Sequence, residues 1–123
     1  MKKLLVVSIL IIIAAAAFFI SGGGKAQVSQ SGAEHIVELR DDGYLPKNLT
    51  IQKGETVKFI TTRDGYFWPA SNLHPSHGIY PEFDPKEPIA AEESWSFRFD
   101  EAGNWRYHDH ISPYFTGAIE VAE

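Results

Sequence analysis

From residue 35 onward the chain alternates apolar and polar side chains in short bursts and never sustains a helical period. HIVELR (35–40) alternates, and LTIQ (49–52) and ETVKFITT (55–62) lie on either side of a Lys53-Gly54 turn. In SWSFRF (94–99), Trp95, Phe97 and Phe99 share one face while Ser94, Ser96 and Arg98 share the other. Glu101-Ala102-Gly103 turns the chain, NWRYH (104–108) alternates again, and GAIEVA (117–122) closes it. Successive strand residues point to opposite faces, so aromatic and β-branched runs with period two predict half-buried strands. Runs this short, separated by turn signals, predict an all-β fold, an antiparallel sandwich or barrel.

Two stretches break the pattern. Residues 63–93 hold five of the chain's seven prolines, at 69, 75, 81, 85 and 88. A loop this long, stiffened by proline and rich in aromatics, is expected to be ordered and functional. The other is the start of the chain. Lys2 and Lys3 precede an apolar run from Leu4 to Ile20, interrupted only by Ser8, which Ser21–Gly24 ends. Residues 1–26 therefore read as a signal peptide or an N-terminal membrane anchor, with residues 4–20 as the membrane-inserting part. No cysteine follows the run, so a lipoprotein anchor is excluded. Residues 27–33 read as a flexible linker and 34–123 as one domain, expected to work outside the cytoplasm: periplasmic, secreted or held on the outer face of a membrane.

Charge and cysteine usage narrow the chemistry. Lys2, Lys3 and Lys25 lie in the leader, which leaves 8 of the 11 basic residues against 16 acidic ones. So acidic a domain is a poor partner for nucleic acid and a better one for cations. With no cysteine, the fold has no disulfide and no thiolate to offer a metal. There is no phosphate loop, no dinucleotide fingerprint and no nucleophile elbow.

Four of the five histidines fall in two tight clusters, His74 and His77 in LHPSHG and His108 and His110 in YHDHIS. Metal sites draw ligands from segments distant in sequence and adjacent in the fold, so paired clusters fit a metal centre. On a strand, His108 and His110 share one face. Trp105 and Tyr107 claim the core face, which puts Asp109 on the core side and the two histidines on the outer one. His35 reads as an ordinary edge residue, and Glu82 and Asp84 as solvated charges or spare oxygen ligands.

The two ends of the domain resemble cupredoxin-like domains. "DDGYLPKNLTIQKGETVKFI" is similar to their opening and "FDEAGNWRYHDHISPYFTGAIEV" to their close, over nearly all of residues 35–122. The resemblance implies a Greek-key β-sandwich of seven to eight strands. "NLHPSHG" and "GNWRYHDH" resemble the histidine motifs of multicopper oxidases. By that resemblance His74 falls on a type 1 copper histidine, and His77, His108 and His110 on histidines facing copper ions shared between domains. Asp109 falls on the type 1 cysteine, and Tyr114 and Ala118 lie about where the remaining type 1 ligands stand. The blue centre is therefore absent, because it needs a thiolate.

Two geometries follow. In the first, His77, His108 and His110 form an outward three-histidine site, with His74 bonded to Asp109 behind it or Asp109 serving as a weak oxygen ligand. In the second, strand twist brings all four histidines onto one ion. Either implies a histidine-ligated, non-blue copper protein for trafficking, buffering or redox work. The alternatives are a small copper oxidoreductase completed by homo-oligomerisation, or a zinc-binding or metal-free surface module.

Overall fold

The alternating runs fold as strands, and eight strands make two four-stranded sheets in the computed structural model, which describes residues 32–123. The expected leader (1–26) and residues 27–31 of the expected linker lie outside the described residues. Among the described residues no helix is long and apolar enough to cross a membrane. The strands are β1 (Glu34–Arg40), β2 (Gly43–Leu45), β3 (Asn48–Gln52), β4 (Thr56–Thr61), β5 (Pro69–Ser71), β6 (Trp95–Arg98), β7 (Gly103–Asp109) and β8 (Thr116–Ala122). One sheet has the order β2-β1-β4-β6 and the other β3-β8-β7-β5.

The sandwich is mixed, not antiparallel as the alternation suggested. β1 pairs with β4 in parallel, and β3 with β8 in parallel. The Lys53-Gly54 turn does not close a hairpin. It carries the chain from one sheet to the other, with Gly54 at φ 90° and its N–H bonded to the Phe99 carbonyl at 2.7 Å. Period two reports which face a side chain takes but not the direction of its neighbour, so the alternation gave no ground for the antiparallel expectation.

Both sheets turn their apolar rows inward. Val37, Leu39, Val57 and Phe59 from one sheet meet Ile51, Tyr107, Ile119 and Val121 from the other, all buried. Gly117 sits over the Tyr107 ring so closely that an added Cβ would lie 2.5 Å from it. The proline-rich loop contributes Phe67, Tyr80, Phe83 and Ile89 to the same core. Burying each such side chain contributes about 1.5–3 kcal/mol, and this holds the long loop in one place. From there it lies over the outer face of β7, and that cover positions the site.

Candidate metal centre

β7 runs Gly103–Asp109 with Tyr107 and Asp109 turned inward and Arg106 and His108 outward. Outward here does not mean solvated. β5 lies alongside with Ala70 opposite His108, and the loop beyond β5 folds back over both. Ser71 Oγ donates to the His77 or Tyr80 carbonyl, each 2.8 Å away, and accepts the Tyr80 N–H at 3.2 Å. The Ile79 N–H reaches the Asn72 carbonyl at 2.9 Å. His108 is thereby only 2% exposed and His77 4%. His77 takes a left-handed backbone, φ 55°. For a residue with a Cβ this costs about 1–2 kcal/mol, tolerated here because the turn aims its ring at β7.

All four clustered histidines converge. One ring nitrogen from each of His74, His77, His108 and His110 lies within 4.8 Å of the others. His77 Nε2 is 3.0 Å from His110 Nδ1, and His74 Nδ1 is 3.2 Å from His108 Nε2. Of the two geometries left open, the one with a His74–Asp109 bond is not found: His74 meets His108, and Asp109 is engaged elsewhere. His110 lies just past the end of β7. It keeps the face that it would share with His108 on a continuing strand, and its backbone N–H bond to the Trp68 carbonyl holds it there beside the loop histidines.

The neighbours of the rings set their tautomers. His77 Nδ1 donates to Asp84 Oδ2 at 2.7 Å, which leaves Nε2 bare. His108 Nδ1 donates to Asn72 Oδ1 at 2.9 Å, again leaving Nε2 bare. His110 Nδ1 and His74 Nδ1 then donate into those two lone pairs. Moving each of these protons to the far nitrogen of its own ring points four lone pairs at one space. Imidazole nitrogens bind zinc or copper at about 2.0–2.1 Å. Neighbouring donors then stand about 2.9 Å apart in a square plane or about 3.3 Å in a tetrahedron. The 3.0 and 3.2 Å contacts lie near those edges, and the wider separations, up to 4.8 Å across the set, would have to close around a single four-coordinate ion.

Electrostatics keep the rings ready for a cation. Burial, then the neighbouring His77, His74 and His110, push the His108 ring down to about 4. Burial, then His77 and His74, lower His110 as well. Both are neutral at neutral pH. Asp84 shows the opposite balance. Burial would raise its carboxyl, but hydrogen bonds from His77, the Lys86 N–H and the Trp68 indole hold it at about 2. It is an ionised carboxylate behind a histidine, the arrangement that fixes ring orientation and raises basicity at metal sites. Asp84 is thus not an oxygen ligand in this geometry, and Glu82 and His35 lie outside the cluster. His35 faces Glu55 instead, at 3.4 Å.

Asp109 is buried, 1% exposed, and both of its oxygens accept backbone N–H groups: Trp68 at 2.6 Å and Ser112 at 2.8 Å. Burial raises its carboxyl, and the two N–H groups pull it back down. Its influence on the histidines passes through Trp68, whose carbonyl accepts the His110 N–H at 2.7 Å. Tyr114 is 74% exposed, and Ala118 lies on the outer face of β8, so neither stands beside the cluster. Two participants carried no sequence signal. Trp68 packs against His110 with ring centroids 4.4 Å apart and planes tilted by 42°, and bonds Asp84 at 2.8 Å. Asn72 orients His108.

No protein-family profile matches the chain, and no curated protein matches it in sequence. Solved structures do match in fold. A copper(I) form of an amicyanin variant aligns with TM-score 0.62 and 23% identity over 79% of this chain and 88% of that one. A purple cupredoxin from Nitrosopumilus maritimus aligns with TM-score 0.62 and 20% identity over 72% and 99%. A copper-containing nitrite reductase from Thermus scotoductus aligns with TM-score 0.63 and 24% identity over 74% of this chain but only 23% of its own. The shared feature is the cupredoxin sandwich, reached here by a chain without cysteine.

Proposed function

We propose that this cupredoxin-fold chain binds copper through His74, His77, His108 and His110 and works in copper trafficking or buffering outside the cytoplasm. The observation that carries the reading is the convergence of four imidazoles within 4.8 Å, two of them held from behind by Asp84 and Asn72. Among divalent first-row ions copper(II) binds nitrogen donors most tightly, and imidazole also suits zinc. The copper named in the structures of similar fold favours copper. The apolar leader supports placement outside the cytoplasm, as a cleaved signal or a membrane anchor, with 34–123 as the working domain.

The chain's own contribution is positioning. Asp84 fixes His77, Asn72 fixes His108, and Trp68 backs His110. His74 has no such support, sits on an exposed stretch, and follows Leu73, which is 66% exposed. Three fixed ligands and one free one suit uptake and release through the His74 side. The same opening favours a second reading, a small copper oxidoreductase whose fourth position admits a substrate or a second copy of the chain. Metal content and the optical and electron paramagnetic spectra of the purified protein test the primary reading. One copper per chain with weak ligand-field absorption and nitrogen hyperfine structure is expected. An intense thiolate-type blue band, or a preference for no metal at all, would overturn it.

A further inference from the structure

The outer face of the β3-β8-β7-β5 sheet carries a second polar feature, separate from the histidine cluster. Register aligns Asn48 of β3 with Ala118 of β8 and Ala118 with Arg106 of β7. Asn72, one residue past β5, continues the row, since its N–H bonds the Arg106 carbonyl at 3.0 Å. Ala118 is short and its neighbours are long, so the row forms a cleft of ≈ 330 Å³. Lys47 and Thr116 complete its polar walls.

The charge of this cleft runs against that of the domain. No acidic residue lines it. Among the described residues Lys47 and Arg106 belong to no ion pair, as is true also of Lys53 and Lys58, whereas Arg40, Arg63, Lys86 and Arg98 do. Glu120, one row further along, lines the neighbouring depression with Asn48 and Asn104. A guanidinium on one side of Ala118, an ammonium on the other, and amide groups at both ends make a donor set that recognises carboxylates. Strands lie about 4.8 Å apart, so donors from β3 to Asn72 span about 14 Å. That spacing suits an extended anion with several carboxylates better than a compact tetrahedral one.

We infer that this cleft is a binding site for a small polycarboxylate, and that Asn72 reports its occupancy to the histidine cluster. The Asn72 side chain accepts from His108 Nδ1 at 2.9 Å, and the same residue lines the cleft. An anion drawing on the Asn72 amide polarises the carbonyl that orients His108. The binding itself does not depend on the metal reading, because every group that makes it belongs to the metal-free chain.

The test is a titration of full-length, metal-free, ¹⁵N-labelled protein with tricarballylate and, separately, with inorganic phosphate. Saturable shifts at Asn48, Arg106, Thr116 and Ala118, with tricarballylate binding the tighter, are expected, and His108 ring nitrogens should move with them. The Lys47→Gln/Arg106→Gln double variant should weaken binding by about tenfold or more. Ala118→Leu, which fills the cleft from an outward position, should block it while the remaining spectrum stays folded. Absence of saturable shifts, undiminished binding in the double variant, or tighter binding of phosphate each overturns the polycarboxylate assignment. A stationary His108 ring at saturation overturns the link through Asn72.

Discussion

Replacing Asp84 by asparagine removes no heavy atom and yet should cripple the site. The carboxylate serves three close donors, while the exposed Lys86 ammonium stands 3.5 Å from Oδ2 and is free to swing into solvent. Its Oδ1 accepts the Trp68 indole and the Lys86 N–H, both at 2.8 Å, and its Oδ2 accepts His77 Nδ1 at 2.7 Å. An amide has one acceptor oxygen, so its NH₂ must face a donor on one side. Turned toward Trp68 and Lys86 it would oppose two N–H groups that cannot change. Turned toward His77 it opposes one, and that ring can answer by moving its proton from Nδ1 to Nε2. The second arrangement is the cheaper, and it places a hydrogen on the nitrogen aimed at the cluster. His77 then ceases to be a donor to metal. Loss of a carboxylate behind a metal-bound histidine typically weakens affinity tenfold to a hundredfold, about 1.4–2.7 kcal/mol. The tautomer switch should put Asp84→Asn at or above the upper end. Competition against a chromophoric chelator measures the affinity, and long-range ¹H–¹⁵N correlation reads the His77 tautomer in the metal-free protein. Binding within about threefold of the parent, or a His77 ring still protonated on Nδ1, would refute the reasoning.

Three further outcomes are expected. His108→Ala and His110→Ala should each abolish tight copper binding, whereas His35→Ala, which loses only a contact to Glu55, should leave it unchanged in the same competition assay. His74→Ala should retain a three-histidine site and weaken binding less than His108→Ala, while speeding metal exchange to a competing chelator in stopped-flow. The metal-free protein should lose stability on acidification. His108 is held neutral down to about 4 in the fold but takes up a proton near 6.5 when unfolded. The unfolded chain thus binds more protons between these values, and stability falls by up to about 3 kcal/mol as pH drops through that window. His110, also lowered, adds to the loss, and the raised Asp109 carboxyl opposes it near the acid end. A urea midpoint that stays constant from pH 7.5 to 5 would contradict this.

Much of the fold was legible because alternation survives wherever one strand face is buried. β1, β3, β4, β6, β7 and β8 all lie where the apolar pattern put them. β2 and β5 are three residues each, too short for a pattern, and Pro69–Ala70–Ser71 is buried throughout and so does not alternate. Strand direction was illegible for the reason the Lys53-Gly54 crossover shows. At the site, clustering picked out the four histidines, and the phase of β7 correctly set His108 opposite Tyr107. The error lay in equating the outer face with the surface. Whether that face is wet depends on where residues 72–84 go, and that follows from the burial of Tyr80 and Phe83, long-range contacts that no local period encodes.

Asp109 shows how the missing thiolate and the histidine cluster belong to one arrangement. Its two oxygens hold the Trp68 and Ser112 N–H groups, which lie on the two segments flanking the mouth of the sandwich. A thiolate or thiol at this position has one weak acceptor atom. It would hold these part-buried N–H groups more weakly than two carboxylate oxygens do. The carboxylate instead secures Trp68, and Trp68 in turn accepts the His110 N–H, packs at a tilt against the His110 ring and bonds Asp84 behind His77. A single backbone-anchoring residue on the core side thus fixes two of the four imidazoles on the other side of the strand. Both oxygens of this core-side carboxylate are taken up by backbone N–H groups, and what they hold in place is the segment that orients His77 and His110.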